Sequence, residues 1–397
     1  MRRIDRVLIA GAGPVGLVTA GVLVQRGVPV TVLEAGSALS TESRASTFHP
    51  PTLDMLDDIG AARPLIEQGV IAPTLQYRTR DEVLATFDFS AIADATRHPY
   101  RLQAEQFKLT RILHDLLREN SLFEIAFDSP VTGVTQSGDE VVVAIGSANQ
   151  QHVLAAPWLV GADGASSAVR KLSAIEFEGF TWPERFLVIS TPFNFDSAIR
   201  GLAAVTYVAD PGQWHFFLRV PGMWRMMFPV PQHIDDTIAT SDDYVQEQMA
   251  VLVPGKRGYE VAHTTLYRVH QRVARAYRSG RVFLAGDAAH VNNPLGGMGM
   301  NGGIHDAVNL ATRLADVWQG RALETSLEGY ERQRRTITVE FVQAQTIQNK
   351  QNLEAKDPAA HSAFKERIRA IAADADRTRA YLRDLAMISS LSRAAEL

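Results

Sequence analysis

The 397-residue chain contains no cysteine. That absence excludes disulfides, cysteine–metal sites and thiol catalysis, and it suits a reducing compartment, so the expected location is the cytoplasm. Long hydrophobic runs are also missing: none spans a bilayer, and no membrane association is expected. Val7-Leu8-Ile9-Ala10 behind Arg2-Arg3 has the outline of a secretion signal. Glycines cut it at once, however, and no small-residue cleavage pattern follows, so it reads as a strand. Positive charge is not in excess either. A net charge of −4 argues against a nucleic-acid partner. No HExxH-type metal motif, repeat or low-complexity segment is present, and no metal site is expected. What remains is ordinary globular composition, with a length that predicts two or three domains or one core carrying an inserted lobe.

The densest signal is Gly286-Asp287-Ala288-Ala289-His290, continuing through Pro294-Leu295-Gly296-Gly297-Met298-Gly299-Met300-Asn301-Gly302-Gly303. A buried strand, Arg281 to Ala285, is predicted before it. After it, Ile304, Ala307, Val308, Leu310, Ala311 and Leu314 recur at helical spacing. Strand, carboxylate, glycine loop and helix start together present bare backbone N–H groups to a polar ligand.

A second such corner opens the chain. Arg6 to Ala10 leads into Gly11-Ala12-Gly13-Pro14-Val15-Gly16, then a helix from Leu17, then a strand, Val30 to Leu33, that ends in Glu34-Ala35. A GxGxxG that follows a strand, opens a helix and precedes an acid at this distance has the context of a dinucleotide site. Glu34 would accept from an adenosine ribose, which favours FAD or NAD over NADP. Arg44 lies shortly beyond, either reaching over phosphates or solvated in a loop. Trp158 to Gly164 is a third strand ending in an acid, Asp163. Taken alone, that ending is also the signature of a tight Asp-Gly turn.

Between these corners the pattern predicts a hairpin over residues 75–89 and helices near 52–60 and 106–120. A strand meander is predicted over 123–127, 131–136, 140–144 and 151–154. From Phe177 to about Leu266 aromatic residues and prolines become frequent. Alternation there predicts an antiparallel sheet with Trp214, Phe216 and Leu218 on one face and Gln213, His215, Phe217 and Arg219 on the other. After Gly320 the chain is predicted helical, and its charged stretches, residues 328–335 and 365–383, read as solvated faces.

The three corners in this order, with Gly-Asp-Ala-Ala-His…Pro…Gly-x-Gly-x-Asn-x-Gly at the third, resemble the group A FAD-dependent aromatic hydroxylases of the para-hydroxybenzoate hydroxylase fold. The resemblance spans about Arg6 to Leu314. It implies an α/β fold: a Rossmann-like FAD-binding domain (1–72, 98–174 and 267–335), an inserted, mostly antiparallel substrate domain (73–97 and 175–266) and a C-terminal helical region (336–397). It implies that Gly11, Gly13, Pro14, Val15, Gly16, Glu34 and Ala35 bind the adenosine and pyrophosphate of FAD. Arg44, Gln103 and Asp163 fall where the family contacts FAD, the last also serving an incoming NADH or NADPH. Gly286 and Asp287 would meet the ribityl and pyrophosphate region. Pro294, Gly299, Met300 and Asn301 would flank the isoalloxazine, Pro294 as part of the floor of the reaction chamber. Small aromatic substrates and molecular oxygen are the implied reactants, through an oxygen adduct at flavin C4a, and the family suggests a homodimer.

Activating a phenol requires a base or polar relay, for which His215, Tyr207, Arg219 and Arg225 are candidates from the aromatic lobe, His215 first. His49 and His290 read as structural. Trp182 to Val188 is similar to a stretch of phenol- and hydroxyphenylpropionate-type hydroxylases, which favours a phenolic substrate. A monooxygenase of polyketide or antibiotic scaffolds carries the same motifs, and a flavin-binding regulator without turnover is the alternative from another class.

Overall fold

The computed structural model describes residues 1–42, 45–147, 150–354 and 357–397. Near-continuous apolar runs build its central sheet. Val7–Ala10 and Val30–Leu33 are buried at every position, as strands covered on both faces must be. The six strands are ordered Arg278–Ser279, Val282–Leu284, Leu159–Gly161, Val7–Ala10, Val30–Leu33, Phe123–Ala126. All but the first pair in parallel, with Ile9 opposite both Val32 and Val160. Phe123–Ala126, expected in the meander, is thus a parallel edge strand beside Val30–Leu33. The meander keeps Val131–Ser137, Glu140–Ser147 and Gln150–Ala156 and gains Arg2–Arg3. A four-residue apolar run carries no sign of which sheet it joins.

Helix Pro14–Gln25 starts with proline at its first position and is buried from Gly16 to Val24 against the long helix Met298–Trp318 and helix Gln106–Leu117. The long helix turns Ile304, Ala307, Leu310, Ala311 and Leu314 inward. No helix among the described residues is long and apolar enough to cross a membrane.

The aromatic lobe is an eight-stranded sheet, ordered His290–Val291, His263–Ala274, Phe177–Thr191, Met223–Val230, His215–Val220, Val205–Val208, Thr74–Arg78, Val83–Asp88. Its one parallel pair sets Tyr207 beside Tyr77 and ties the early hairpin to the lobe. Strand His263–Ala274 runs on past residue 266 without leaving this sheet. Alternation gives it two apolar faces. Phe217, Trp224, Met226 and Phe228 lie under Phe195, Val245 and Met249. Tyr77, Phe87, Tyr207 and Phe216 lie on the other side, under Phe364, Ile368, Leu382 and Leu385. The C-terminal helices Pro358–Ala372 and Ala375–Leu385 are therefore a lid on the sheet, which they cover with Phe364, Ile368, Leu382 and Leu385, while Arg369 and Arg377 stay exposed on the solvated side. A third, small sheet is ordered Thr47–Phe48, Arg101–Gln103, Val70–Ala72. Its middle strand is buried at all three positions, and Arg101 and Gln103 share a face.

Candidate active site

The three glycine–acid corners stand at the carboxyl ends of three adjacent parallel strands, where open α/β sheets bind their ligands. They touch through backbone that tolerates no side chain. A Cβ on Gly11, at φ +101°, would lie 2.5 Å from the Ala162 carbonyl oxygen, and one on Gly16 would lie 2.0 Å from that of Gly11. A Cβ on Gly303 would meet the Val15 side chain at 2.7 Å and the Gly286 Cα at 2.9 Å. Gly13 differs, because its added Cβ would meet nothing within 4 Å. Two of the fingerprint glycines thus close the protein on itself, and the middle one leaves room over the helix start.

The electrostatics of that room favour an anion. Neither helix Pro14–Gln25 nor helix Met298–Trp318 has a side-chain cap or an acid in its first turn, so both positive ends are left bare. Glu34 accepts from the Ala12 N–H at 2.7 Å and the Gly36 N–H at 2.8 Å. It closes the fingerprint loop and still has lone pairs for ribose hydroxyls. Gln103 accepts from the Thr47 hydroxyl at 2.8 Å, while its buried amide nitrogen has no partner. Asp287 is exposed between buried Gly286 and Ala288, so its carboxylate is presented outward from a rigid corner. These features fit FAD: Gly13 to Gly16 would hold the pyrophosphate, Glu34 the ribose and Gln103 an acceptor on the cofactor.

Other expected residues serve the protein itself. Asp163 accepts from the Ser167 hydroxyl at 2.5 Å and the Val169 N–H at 3.0 Å, which starts the short helix Ala168–Leu172. Asn301 accepts from the His49 N–H at 2.8 Å and donates to the carbonyls of Thr47 and Gly297. Its carboxamide thus ties the glycine loop to the Thr47 and His49 backbone. Pro14, Val15, Gly299 and Met300 are half-buried beside the bare helix ends, and Ala35 and Pro294 are exposed. Arg44 lies outside the described residues.

Groups that sequence reading passed over lock the corners together. Arg170 donates to the carbonyls of Ala288 and Ala165, each at 2.8 Å, and lies 3.8 Å over Phe177. Asp306 is fully buried. It accepts from Arg334 Nε at 2.6 Å, from His290 Nε2 at 2.8 Å and from the Gly286 N–H at 3.1 Å. Burial opposes its charge, but Arg334 and His290 outweigh that and hold its carboxyl below the usual range. Arg334 thus leaves the solvated face assigned to residues 328–335. A helical acid four residues past Gly302 was the available hint.

A cavity of about 220 Å³ lies between the sheet face and the C-terminal helices. Tyr77, Tyr207, Tyr381 and Phe364 form its aromatic walls; Asn349 and Arg367 stand among its polar groups. The rings of Tyr77 and Tyr207 stack at 5.4 Å, and the hydroxyls of Tyr77 and Tyr381 are 2.9 Å apart. Tyr207 also accepts from the Gly296 N–H at 3.2 Å, and Asn349 donates to the Leu295 carbonyl at 3.3 Å. The chamber and the glycine loop are therefore joined directly.

Of the expected activating residues, only Tyr207 lines this chamber. His215 is on the opposite face of its strand, stacked on Phe228 at 5.6 Å, with Nδ1 3.1 Å from the Gln213 carbonyl. Burial pulls its pKa down to about 4, so it is neutral near pH 7 and remote from the cavity. Arg219, on that same side, pairs with Asp196 at 2.8 Å near the surface. Arg225 is buried on the neighbouring strand and is not among the cavity's lining residues. Alternation predicts which residues share a face but not which face meets the cavity.

Residues 5–345 match the FAD binding domain family. The chain is 35% identical over 365 residues to para-nitrophenol 4-monooxygenase of Pseudomonas sp. (strain WBC-3), covering 90% of each chain. It is 34% identical to 6-hydroxy-3-succinoylpyridine 3-monooxygenase of Pseudomonas putida (strain DSM 28022 / S16), across 96% of this chain and 97% of that one. Among solved structures, p-nitrophenol 4-monooxygenase from Pseudomonas putida DLL-E4 superposes with a TM-score of 0.93 at 32% identity, over 98% and 99% of the two chains. Converging corners, bare helix ends and an adjoining aromatic chamber, together with these likenesses, make this chain a member of the FAD-dependent aromatic hydroxylases, an FAD-using monooxygenase.

Proposed function

We propose that the enzyme hydroxylates a small phenol held in the chamber of Tyr77, Tyr207 and Tyr381. The observation that carries this reading is the chamber's size and seat. About 220 Å³ is room for one substituted ring, since cavities of ~150 Å³ take up benzene. It is smaller than the ~300–1,000 Å³ typical of sites for drug-sized ligands, which disfavours a polyketide scaffold. Two relatives are named for p-nitrophenol and 6-hydroxy-3-succinoylpyridine, both hydroxylated aromatic rings.

FAD held by Gly13 to Gly16 and Glu34 would supply the redox chemistry, accepting a hydride from NADH or NADPH and activating oxygen so that one atom enters the ring and the other leaves as water. The chain's own residues do the rest. The corner strands and both bare helix ends form the cofactor-binding part, and the eight-stranded sheet with its helical lid forms the substrate part. The tyrosine hydroxyls orient the phenol oxygen by hydrogen bonds. Phe364, Ile368 and Leu385, from the lid, exclude water from the ring.

The test is NADH and NADPH oxidation by the purified yellow protein with a panel of substituted phenols. Acceleration with formation of a hydroxylated product is expected; indifference to every phenol would reject the proposal and favour a regulator without turnover. Asp287→Ala should weaken FAD retention about ten- to hundredfold, the worth of one charge-assisted hydrogen bond, with an unchanged far-UV circular dichroism spectrum. Recovery of that variant with a full complement of flavin would show that Asp287 does not hold the cofactor.

A further inference from the structure

Arg101 is a cation with no carboxylate paired to it among the described residues. It is 1% exposed, and its guanidinium reaches only the carbonyls of Gly296 and Leu385, each at 3.4 Å, and the Phe89 ring at 5.7 Å. Its Nε has no partner. Removing an arginine from water is unfavourable unless an opposite charge comes with it. The two other cations buried as deeply, at 1% exposure among the described residues, are paired: Arg334 with Asp306, and Lys350 with Glu354.

The position of Arg101 explains what the missing anion is for. Leu385, whose carbonyl it holds, lines the chamber, and Gly296 is the loop residue that donates to Tyr207. Its charge acts on Tyr77 and Tyr381 of the chamber wall and on His49 behind the loop. The lining itself has Arg367 at its rim, the carboxamides of Gln345, Gln348, Asn349 and Asn352, and, among the described residues, no aspartate or glutamate. The Tyr77–Tyr381 pair spends one hydroxyl proton on its mutual bond and keeps the other. Tyr207 accepts from Gly296 and so keeps its own. A chamber with a cation behind its wall, spare hydroxyl protons and no acid is built for a negatively charged ring substituent.

Resting on the phenol-hydroxylating reading above, we infer that Arg101 is the specificity-determining residue that makes the chamber select the phenolate form of its substrate, so that phenols acidified by nitro or halogen groups are taken up already ionised. Arg101 acts through the wall, as a positioning charge, without touching the ring. Burial keeps Tyr77 and Tyr381 protonated, Tyr381 with its pKa pushed up to about 12, so both remain donors. His49, held neutral by burial and by Arg101 itself, adds no competing charge.

The test compares p-nitrophenol with its methyl ether, p-nitroanisole, binding to the FAD-loaded oxidised enzyme, read from the perturbed flavin spectrum. Wild-type affinity for p-nitrophenol should rise as the pH passes upward through that phenol's own pKa, while p-nitroanisole shows no such rise. Arg101→Gln should weaken p-nitrophenol at least about tenfold and leave p-nitroanisole within about twofold, and Arg101→Lys should recover most of the loss. Equal losses for both ligands, or no loss, would overturn the assignment. If Arg101→Gln does not fold, the wild-type titration decides alone: tighter binding of p-nitrophenol below its pKa overturns it. Stimulation of nicotinamide oxidation by neutral and ionised phenols alike would sink only this charge selection, whereas no stimulation by any phenol would sink the functional reading beneath it.

Discussion

Asp306→Ala should cost about 3–5 kcal/mol of folding stability, the loss expected when one partner of a buried ion pair is removed. The variant would leave Arg334, 1% exposed, without a counter-ion, and would strip His290 and the Gly286 N–H of their acceptor in the same stroke. Because Gly286 precedes Asp287, FAD affinity should fall with stability. Replacing both charges with apolar residues, Asp306→Leu with Arg334→Met, should restore a large part of the stability but not the flavin affinity, since the Gly286 N–H still lacks its acceptor. Urea unfolding followed by circular dichroism, and flavin fluorescence on dilution, measure the two separately. A loss below about 1 kcal/mol for the single variant would mean that Asp306 is not the keystone of this corner.

Acid should destabilise the protein steeply well above the range in which ordinary carboxylates titrate. His49, His215 and His305 are fully buried, and burial lowers each pKa, to about 4 for His215 and about 3 for His305. In the unfolded chain they take up protons near pH 6.5. A group whose folded pKa is depressed binds fewer protons folded than unfolded, so its stabilisation is complete above pH 6.5 and is lost as the pH falls towards the folded value. Each contributes about 1.4 kcal/mol per pH unit in that window, so the three together approach about 4 kcal/mol per unit. Asp306 adds to the loss at still lower pH, while Glu354, its pKa raised mainly by burial, works the other way. The chemistry behind His49 is visible: Nε2 donates to the Gly296 carbonyl at 2.9 Å, and buried Nδ1 has nothing to receive a second proton's N–H. Urea midpoints should drop sharply between about pH 7 and about pH 5; a flat profile would show that these histidines protonate without penalty.

The corners were legible because their signal is local. Gly11, Gly13 and Gly16 follow one strand and open one helix, a local pattern even though Gly11 packs on distant Ala162, and Glu34 and Asp287 stand at strand ends that the apolar runs mark. The chamber was not legible in the same way. Tyr77 and Tyr381 are 304 residues apart and meet only through the fold. His215 and Phe216 sit on adjacent positions of one strand, and choosing between them needs knowledge of which face the C-terminal helices cover. The solvated faces of those helices were legible from their charges; their covering role was not, because Phe364, Ile368, Leu382 and Leu385 are outnumbered by arginines. Arg101 gave no signal at all, since an arginine in a three-residue strand is usually a surface residue.

The distance between Tyr77 and Tyr381 has a consequence for synthesis. All three glycine–acid corners have left the ribosome once Asn301 emerges, yet the sheet face bearing Tyr77, Tyr207 and Phe216 stays uncovered until Leu385 follows it. During that interval the nascent chain shows a broad aromatic surface, the condition in which self-association competes with completion of the fold.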